Sequence, residues 1–334
     1  MTISLHRSLR TTALAVASSA ALATACFGAT HGAAPASSAI RSATVAGAGE
    51  DLRAQPSAWT QQLVVADNNL SQLEVLGTGP AFNWLTNVTA GAPCPSGAWI
   101  QRTLPLLYVS NFGCRGPVGV TSYKRVAGVW TPVAPIGGYT AGLVDPINST
   151  TDSANHVFVA DNIGNQLVEF NPGVGNAYLY RCTIPGPATG VGGVAVDAAG
   201  DVFATIEQNP VKIIEYPGPA GLSNCAGAVL TGATLPSPAG SGALLLDNGG
   251  RLIACDQNAI YTIPPPYTTP VLFETDNCLN MSLNHAGNTL FVTEPFVNND
   301  IRVLRYPNHL VRRIITPSAS NHISSATGVA AYPG

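Results

Sequence analysis

A chain of 334 residues with 15 Lys and Arg against 18 Asp and Glu has a formal net charge of −3, and no stretch concentrates its basic residues. Nucleic acid is therefore not an expected partner, because binding to phosphates requires a basic surface. Hydrophobic residues make up 46% of the chain and charged residues 10%, which excludes a disordered protein. The 34 Gly and 26 Pro are spread along the sequence, which is typical of many short strands joined by turns.

Residues 1–25 have the features of a signal peptide. Two arginines precede an uncharged, Ala-rich run, and the small residues Ala23-Thr24-Ala25 offer a cleavage site. The run is too short and too rich in Ala and Ser for a membrane anchor, so we expect a secreted or periplasmic protein without a transmembrane segment. Cys26 follows the cleavage point, and a lipid anchor there is the alternative. Residues 26–58 hold no apolar period and are predicted to be a flexible leader.

Residues 59–334 repeat one pattern six times. Each copy contains a short β-prone run that ends in polar residues. The runs are LVVADN, LYVSNF, VFVADN, VFATIE, LIACDQ and LFVTEP, starting at residues 63, 107, 157, 202, 252 and 290. Equivalent positions lie 38–50 residues apart, which is the repeat length of a β-propeller blade with four strands. The sequence therefore predicts an all-β fold, a six-bladed β-propeller.

The flanking runs predict the other strands of each blade. An inner strand before the run is clearest at residues 142–145, 193–197, 242–247 and 279–284. A third strand after it is clearest at residues 72–76, 166–170, 211–216, 259–263 and 301–306. The first run has no inner strand before it, whereas the chain ends on an inner-strand pattern at residues 327–334 with no run after it. We therefore predict that the C-terminal strand joins the first blade and closes the ring, which removes exposed sheet edges.

The repeats resemble the NHL-repeat family of six-bladed propellers. The resemblance is carried by GVAVDAAGDVFAT (193–205), VFVADNIGNQLVEF (157–170) and LFVTEPFVNNDIRVLRY (290–306). It implies a fold and does not imply an activity, because one propeller fold supports many functions. Related six-bladed folds include gluconolactonase-like calcium enzymes and streptogramin lyase. A metal-dependent lactonase, another hydrolase or a lyase is therefore the alternative to a binding module.

Six polar residues follow the second strands and are the candidates for ligand binding. In a propeller, the loops after the second strands and the loops between blades share the face on which the central channel opens. We call it the mouth face, and it is defined by these residues: Asp67, Asn111, Asp161, Glu207, Asp256 and Glu294. A ring of this kind suits a cation or a polyol. The alternative is that each side chain caps its own turn by accepting backbone N–H groups.

The two enzyme families imply further site residues. Calcium lactonases hold their metal at the starts of inner strands, which here are Gly192-Gly193, Ser241-Gly242, Asn280 and Thr327-Gly328. This set supplies one amide and two hydroxyls, whereas calcium takes six or more oxygen ligands. No cofactor is therefore expected, and calcium is the open alternative. The lyase resemblance points to His285 with Glu294, but His285, like His156, lies in a turn predicted on the face opposite the mouth.

Six cysteines remain once Cys26 is set aside: Cys94, Cys114, Cys182, Cys225, Cys255 and Cys278. An even number in an exported chain favours disulfide bonds, and no CxxC or Cys/His zinc spacing is present. Their places in the repeat favour Cys94–Cys114 and Cys255–Cys278, which close loops of 20 and 23 residues. Cys182–Cys225 is what remains, and free buried thiols are the alternative.

We therefore expect an exported, monomeric six-bladed propeller that serves as a binding module, with an enzyme as the alternative. Its partner is a protein, a carbohydrate or a cell-envelope ligand, and the mouth face is the predicted contact surface.

Overall fold

The computed structural model describes residues 61–79, 82–101, 104–112, 116–136, 142–173, 178–185, 190–218, 230–236, 240, 242–296 and 298–332. Within these residues, 24 β-strands form six antiparallel sheets of four strands each, and no helix is long and apolar enough to cross a membrane. Each sheet is one blade of a six-bladed β-propeller, so the predicted fold is confirmed. The predicted signal peptide, the leader and Cys26 lie outside the described residues and stay predictions.

Blades I to III each place their strands in chain order from the channel outward, except that blade I takes its inner strand from the C-terminus. The strands of blade I are β24 (Ala326–Tyr332), β1 (Gln62–Asp67), β2 (Gln72–Gly77) and β3 (Trp84–Val88). Those of blade II are β4 (Pro95–Ile100), β5 (Leu106–Asn111), β6 (Gly119–Val126) and β7 (Val129–Ile136). Those of blade III are β8 (Pro146–Thr151), β9 (Val157–Asp161), β10 (Gln166–Pro172) and β11 (Tyr178–Pro185).

Blades IV to VI follow the same order. The strands of blade IV are β12 (Val191–Val196), β13 (Val202–Ile206), β14 (Lys212–Tyr216) and β15 (Leu230–Thr234). Those of blade V are β16 (Leu244–Leu246), β17 (Leu252–Cys255), β18 (Ile260–Ile263) and β19 (Val271–Glu274). Those of blade VI are β20 (Asn280–Leu283), β21 (Thr289–Glu294), β22 (Asp300–Arg305) and β23 (Leu310–Ile315). The inner strands of neighbouring blades contact each other around the ring.

The second strand of each blade is apolar throughout because both of its faces are buried. Along β1, Val64 and Ala66 pack in the core shared with blade II, while Leu63 and Val65 pack in the core shared with blade VI. Successive side chains of a strand point to opposite faces, so one continuous apolar run supplies two cores. Burying each such side chain contributes about 1.5–3 kcal/mol. These cores hold the blades at fixed positions around the channel.

The C-terminal strand closes the ring, as predicted. β24 pairs antiparallel with β1, with Val64 opposite Ala330. Gly328 allows β24 to approach β4, because a Cβ at this position would lie 2.8 Å from Gly97 Cα. A Cβ on Gly97 would in turn lie 2.2 Å from the Ile147 carbonyl oxygen of β8. Glycines therefore bring three successive inner strands into direct contact.

The inner strand of blade III is not where the sequence placed it. The prediction was residues 142–145, but β8 begins at Pro146. The backbone N–H groups of Val144 and Asp145 donate to the Asp161 carboxylate instead of to a neighbouring strand. The Asp161 side chain, at the end of β9, thus binds the backbone just before β8 begins. Pro146 occupies the first position of β8, where a missing N–H is tolerated.

The disulfide Cys255–Cys278 is present, as predicted. Gly242 lies against it, because a Cβ there would be 2.4 Å from Cys255 Sγ. In the chain-entropy model, a disulfide that closes a loop of this length adds about 3 kcal/mol to the free energy of unfolding. Cys94 and Cys182 are also disulfide-bonded. Their predicted partners, Cys114 and Cys225, lie outside the described residues, so those two pairings stay predictions.

Candidate functional site

At the mouth of blade I, Asp67 joins two loops. Its side chain is fully buried at the end of β1. One carboxylate oxygen accepts from Leu70 N at 3.1 Å, and the other accepts from Ser324 N at 2.5 Å and Ser325 N at 3.2 Å. Burial raises the pKa of Asp67, against these backbone hydrogen bonds, which lower it. The carboxylate therefore holds both its own turn and the connection that enters β24.

Asp161 has the equivalent position in blade III. Its carboxylate accepts from Val144 N at 3.1 and 3.2 Å, from Asp145 N at 2.6 Å and from Gln166 Nε2 at 2.7 Å. The first two donors belong to the connection that enters β8, and Gln166 begins β10. Asp161 is fully buried, so these contacts replace water around its carboxylate. It fixes the inner strand and the third strand relative to each other.

Asn111 achieves a similar result in blade II with an amide. Its Nδ2 donates to the carbonyl oxygens of Gly91 at 3.3 Å and Val109 at 3.2 Å. It also lies 3.2 Å from Thr121 Oγ1, which itself donates to Gly91 O at 2.6 Å. Gly91 precedes β4, so Asn111 again holds the connection into its own blade. An Asp here would meet carbonyl acceptors, which explains why this position carries an amide.

Asp256 caps its own turn in blade V. One carboxylate oxygen accepts from Asn258 N at 3.1 Å and from Ala259 N at 2.9 Å. Asp256 is fully buried and also interacts with Tyr261, whose pKa is raised to about 12 by burial and by the Asp256 charge. Asp256 therefore fixes the turn between β17 and β18.

Glu207 differs because its side chain is only half-buried. Its backbone N–H donates to Gly190 O at 2.7 Å, and a Cβ on Gly190 would lie 2.9 Å from Glu207 Oε2. The carboxylate thus lies over the start of β12. Burial, together with the charges of Asp161 and Glu207, raises the pKa of neighbouring Asp145 to about 6. Blades III and IV therefore share an acidic patch at the mouth.

Glu294 belongs to a second acidic cluster at the mouth of blade VI. Its carboxylate accepts from Asn277 Nδ2 at 3.2 Å and from an Arg302 guanidinium nitrogen at 3.4 Å. Arg302 also lies 2.5 Å from Asp276 Oδ2. Burial raises the pKa of Asp276 to about 6, and burial with the nearby Glu294 charge raises that of Asp300 to about 6. Asp276 and Glu294 therefore share one guanidinium, and Asp276 and Asp300 keep their protons up to about pH 6.

These residues do not fit a calcium site. Across the described ranges, no group of three or more His, Cys, Asp or Glu is placed to hold a metal ion. At the inner-strand starts, Asn280 Oδ1 accepts from Val329 N at 3.2 Å, and Thr327 Oγ1 donates to Pro95 O at 2.8 Å. Their oxygens connect neighbouring inner strands, while calcium needs six or more oxygen ligands directed at one point.

The histidines considered from the sequence lie away from the mouth acids. His285 precedes β21 and Glu294 ends it, so the strand separates them by about 3.3 Å per residue. The pairing of His285 with Glu294 that the lyase resemblance implied is therefore not formed. His156 Nδ1 lies 2.7 Å from Asp152 Oδ2, in the turn before β9.

A cavity that the sequence did not predict lies on the face opposite the mouth. It is between blades VI and I, with a volume of about 520 Å³. We call it the VI–I cleft, and the residues that define it are Gln61, Phe82, His285, Arg312, Arg313 and Tyr332. The one signal in the sequence is the pair Arg312-Arg313 within the fourth strand LVRRII.

Comparison with known proteins supports the fold. No family model matches the chain, and no curated protein matches it. Among solved structures it is similar to a chain of a nidogen/laminin complex, with a TM-score of 0.63 and 12% identity over 81% of this chain and 98% of that chain. It is also similar to a candidate 6-phosphogluconolactonase from Bacteroides uniformis, with a TM-score of 0.57 and 12% identity over 77% and 83% of the two chains. It is also similar to a functionally unknown protein from Desulfotomaculum acetoxidans, with a TM-score of 0.55 and 11% identity over 82% of this chain and 99% of that chain. At these identities the likeness shows the propeller fold alone.

Proposed function

We propose that this chain is an exported NHL-type propeller that acts as a binding module and presents its mouth face to a positively charged partner. The observation that carries the proposal is the excess of carboxylates on that face. The described acidic residues there are Asp67, Asp145, Asp161, Glu207, Asp256, Glu274, Asp276, Glu294 and Asp300. The described basic residues there are Lys212 and Arg302.

Two physical effects favour binding at such a face. Asp67, Asp161 and Asn111 fix the connections between blades, so the loops lose little further entropy when a partner binds. The negative field attracts a basic surface and speeds the encounter, with a strong dependence on salt. Most of these carboxylates are buried in the fold. The half-buried Asp145, Glu207 and Glu274 are the ones that can contact a partner directly.

A labelled lysine decapeptide tests this proposal by fluorescence anisotropy. We expect the full chain to bind the peptide, with an affinity that falls as salt is raised. Glu207→Gln combined with Glu274→Gln should weaken binding about 5-fold, which corresponds to about 1 kcal/mol. Glu215→Gln is the matched control, because Glu215 is equally half-buried but lies at the other end of its blade. Equal effects of both sets of changes, or no binding at all, would contradict a specific mouth site.

The second candidate is an enzyme, either a lactonase or a lyase. The specific observation in its favour is the pair Asp276 and Asp300 in the cluster around Arg302, because carboxyl groups with a pKa near 6 suit general acid–base catalysis. The test is turnover of a panel of lactones, with and without added calcium, by the full chain and by Asp300→Asn. If the full chain turns over a lactone and a folded Asp300→Asn variant does not, an enzyme replaces the binding module as the proposed function.

A further inference from the structure

The outer strand of blade VI contains a β-bulge at Arg312. Val303 of β22 lies opposite Arg313, and Leu304 lies opposite Val311, which leaves Arg312 without a residue opposite it. In a regular strand consecutive side chains point to opposite faces, but a bulge redirects one of them. This explains why two consecutive arginines both line the VI–I cleft.

Blade III has the same bulge with a different partner. Glu169 lies opposite Cys182 and Phe170 opposite Tyr180, so Arg181 is the extra residue. Arg181 forms an ion pair with the buried Glu169, with 2.5 Å between nitrogen and oxygen. The equivalent of Glu169 in blade VI is Val303, directly before the bulge. The bulge arginine of blade VI therefore has no carboxylate at the position where that of blade III has one.

The cleft arginines have neutral neighbours. Arg312 donates to Thr289 Oγ1 at 3.3 Å, and the Arg313 guanidinium lies 5.5 Å from the centre of the Phe82 ring. The ion pairs found among the described residues use other cations, and none of the described residues lining the cleft is Asp or Glu. Two guanidinium groups at one concave, partly apolar site attract an anion, and the planar fork of arginine matches a carboxylate.

Aromatic rings form fixed walls of the cleft. Phe82 packs edge-on against Phe291, with 6.2 Å between ring centres. Tyr332 packs edge-on against Trp130 at 5.4 Å, and the Arg125 guanidinium lies 4.5 Å from the Tyr332 ring centre. These contacts hold Phe82 and Tyr332 in place before any ligand binds. Flat rings of this kind suit the C–H faces of sugar rings, which are apolar.

A second cavity continues the cleft along the outside of the propeller. It has a volume of about 290 Å³ and shares Phe82 and Arg313 with the first. Trp84, Ser320 and Asn321 are among its other lining residues. Hydroxyl and amide side chains both donate and accept hydrogen bonds, as sugar hydroxyls do. Two neighbouring cavities that share Phe82 and Arg313, the larger of ordinary ligand-site size, suit a ligand longer than one sugar ring.

We propose that the VI–I cleft binds an acidic oligosaccharide, with a sugar carboxylate held by Arg312 and Arg313 and neighbouring rings against Phe82 and Trp84. The two arginines line the larger cavity, on the face opposite the mouth, whereas the second cavity reaches the connection between β23 and β24. The site uses none of the mouth acids, so it neither requires nor excludes the partner proposed there. A ligand carboxylate would form with Arg312 and Arg313 the kind of ion pair that Glu169 forms with Arg181.

Calorimetric titration of the full chain with hexagalacturonate, at low and moderate salt, tests this site. The probe for charge is the fully methyl-esterified hexamer, which has the same rings without the carboxylates. We expect binding of the acid and at least a 10-fold weaker interaction with the ester. Arg312→Met and Arg313→Met should each weaken binding of the acid at least 10-fold, with thermal unfolding unchanged because both side chains are exposed.

The matched control is Arg305→Met, an exposed arginine at the end of β22 that is not among the residues lining either cavity. It should bind hexagalacturonate like the unmodified chain, and so should Glu207→Gln at the mouth. Equal affinity for acid and ester, an equal loss in Arg305→Met, or no binding of the acid would overturn the proposal. Equal binding of hexaglutamate would overturn the saccharide assignment in favour of an acidic peptide.

Discussion

Blades III and VI carry an arginine at the same bulge of the outer strand, and the two arginines have different partners. Arg181 neutralises a buried glutamate of its own blade, whereas Arg312 lies in an open cleft and donates to a threonine. The backbone at the two bulges has the same register. One local structure therefore serves stability in blade III and is left available to a ligand in blade VI.

The mouth face extends the comparison. Polar residues recur at the ends of the second strands, and most of those in blades I, II, III and V hold turns or inter-blade connections, as Asp67 and Asp256 do. A polar residue that recurs at the same position of the repeat is explained by a structural role that the blades share. The consecutive pair Arg312-Arg313 occurs in one blade. In a repeat protein, departures from the repeat are therefore the stronger indication of a ligand site.

The largest effect is expected from removing β24, on which the VI–I cleft depends and which closes the ring for all blades. A chain that ends at Ser325 loses the strand paired with β1 and takes Val329 and Ala330 out of the cores on both sides of blade I. We expect loss of cooperative thermal unfolding, measured by circular dichroism. A chain that ends at Tyr332 is the control and should unfold cooperatively. Cooperative unfolding of the shorter chain would show that the ring does not require closure.

Arg181→Met and Arg312→Met compare the two bulges directly. Removing Arg181 leaves the fully buried Glu169 with only His156 Nδ1, at 3.9 Å, as an ion-pair contact. Breaking a deeply buried pair costs about 3–5 kcal/mol. Because the Arg181 side chain is 29% exposed, we expect about 2 kcal/mol. Arg312→Met should change the free energy of unfolding by less than about 0.5 kcal/mol. Urea unfolding of both variants measures this, and equal losses would remove the distinction between the blades.

The blades could be predicted from sequence because they rest on local patterns. Runs such as LVVADN are apolar throughout when both faces of a strand are buried, and a C-terminal strand without a successor indicates ring closure. The inner strand of blade III could not be placed in this way. Its apolar residues 142–145 read as a strand, but the Asp161 carboxylate competes for the backbone N–H groups of Val144 and Asp145.

The VI–I cleft depends on information that no local pattern contains. Phe82 and Arg313 meet only because blade I and blade VI become neighbours when the ring closes. The direction of Arg312 depends on a bulge whose position is set by pairing with β22. Asp256 caps its own turn, which the sequence offered as an alternative, whereas the connections bound by Asp67 and Asp161 could not be placed from sequence.

Val303→Glu would build the blade III arrangement into blade VI. The new carboxylate would occupy the position that Glu169 has in blade III and would form an ion pair with Arg312. Arg312 would still be present, but its charge would be neutralised before a ligand binds. We expect the affinity for hexagalacturonate to fall about 10-fold, which corresponds to about 1.4 kcal/mol. Val303→Gln has the same shape without the charge and is the control. If both variants bind equally well, the charge of Arg312 is not what holds the ligand.

The smallest effect is expected from pH, which compares Asp300, a buried carboxyl beside another carboxyl, with Asp247, a carboxyl held by an arginine. Burial raises the pKa of Asp300 to about 6, above its ordinary 3.8, so the folded chain binds this proton more tightly than the unfolded chain does. The stability contributed by protonation is present below about pH 4 and is lost as pH rises through 6. Asp300→Asn imitates the protonated form, so it should raise the free energy of unfolding more at pH 7.5 than at pH 4.5.

Asp247 should respond in the opposite direction. Burial raises its pKa, but hydrogen bonds from the Arg251 backbone, Tyr306 and the Arg251 side chain outweigh burial and lower it. Its ionised form therefore stabilises the fold above its unfolded pKa, and that stability is lost as pH falls. Asp247→Asn should cost more at pH 5 than at pH 3, because the stability is lost as pH falls below 3.8, and urea unfolding at both values measures this. If the two variants shift with pH in the same direction, the charge of the neighbouring group is not what distinguishes these carboxyls. The charge of a partner would then also be a weaker explanation for the difference between Arg181 and Arg312.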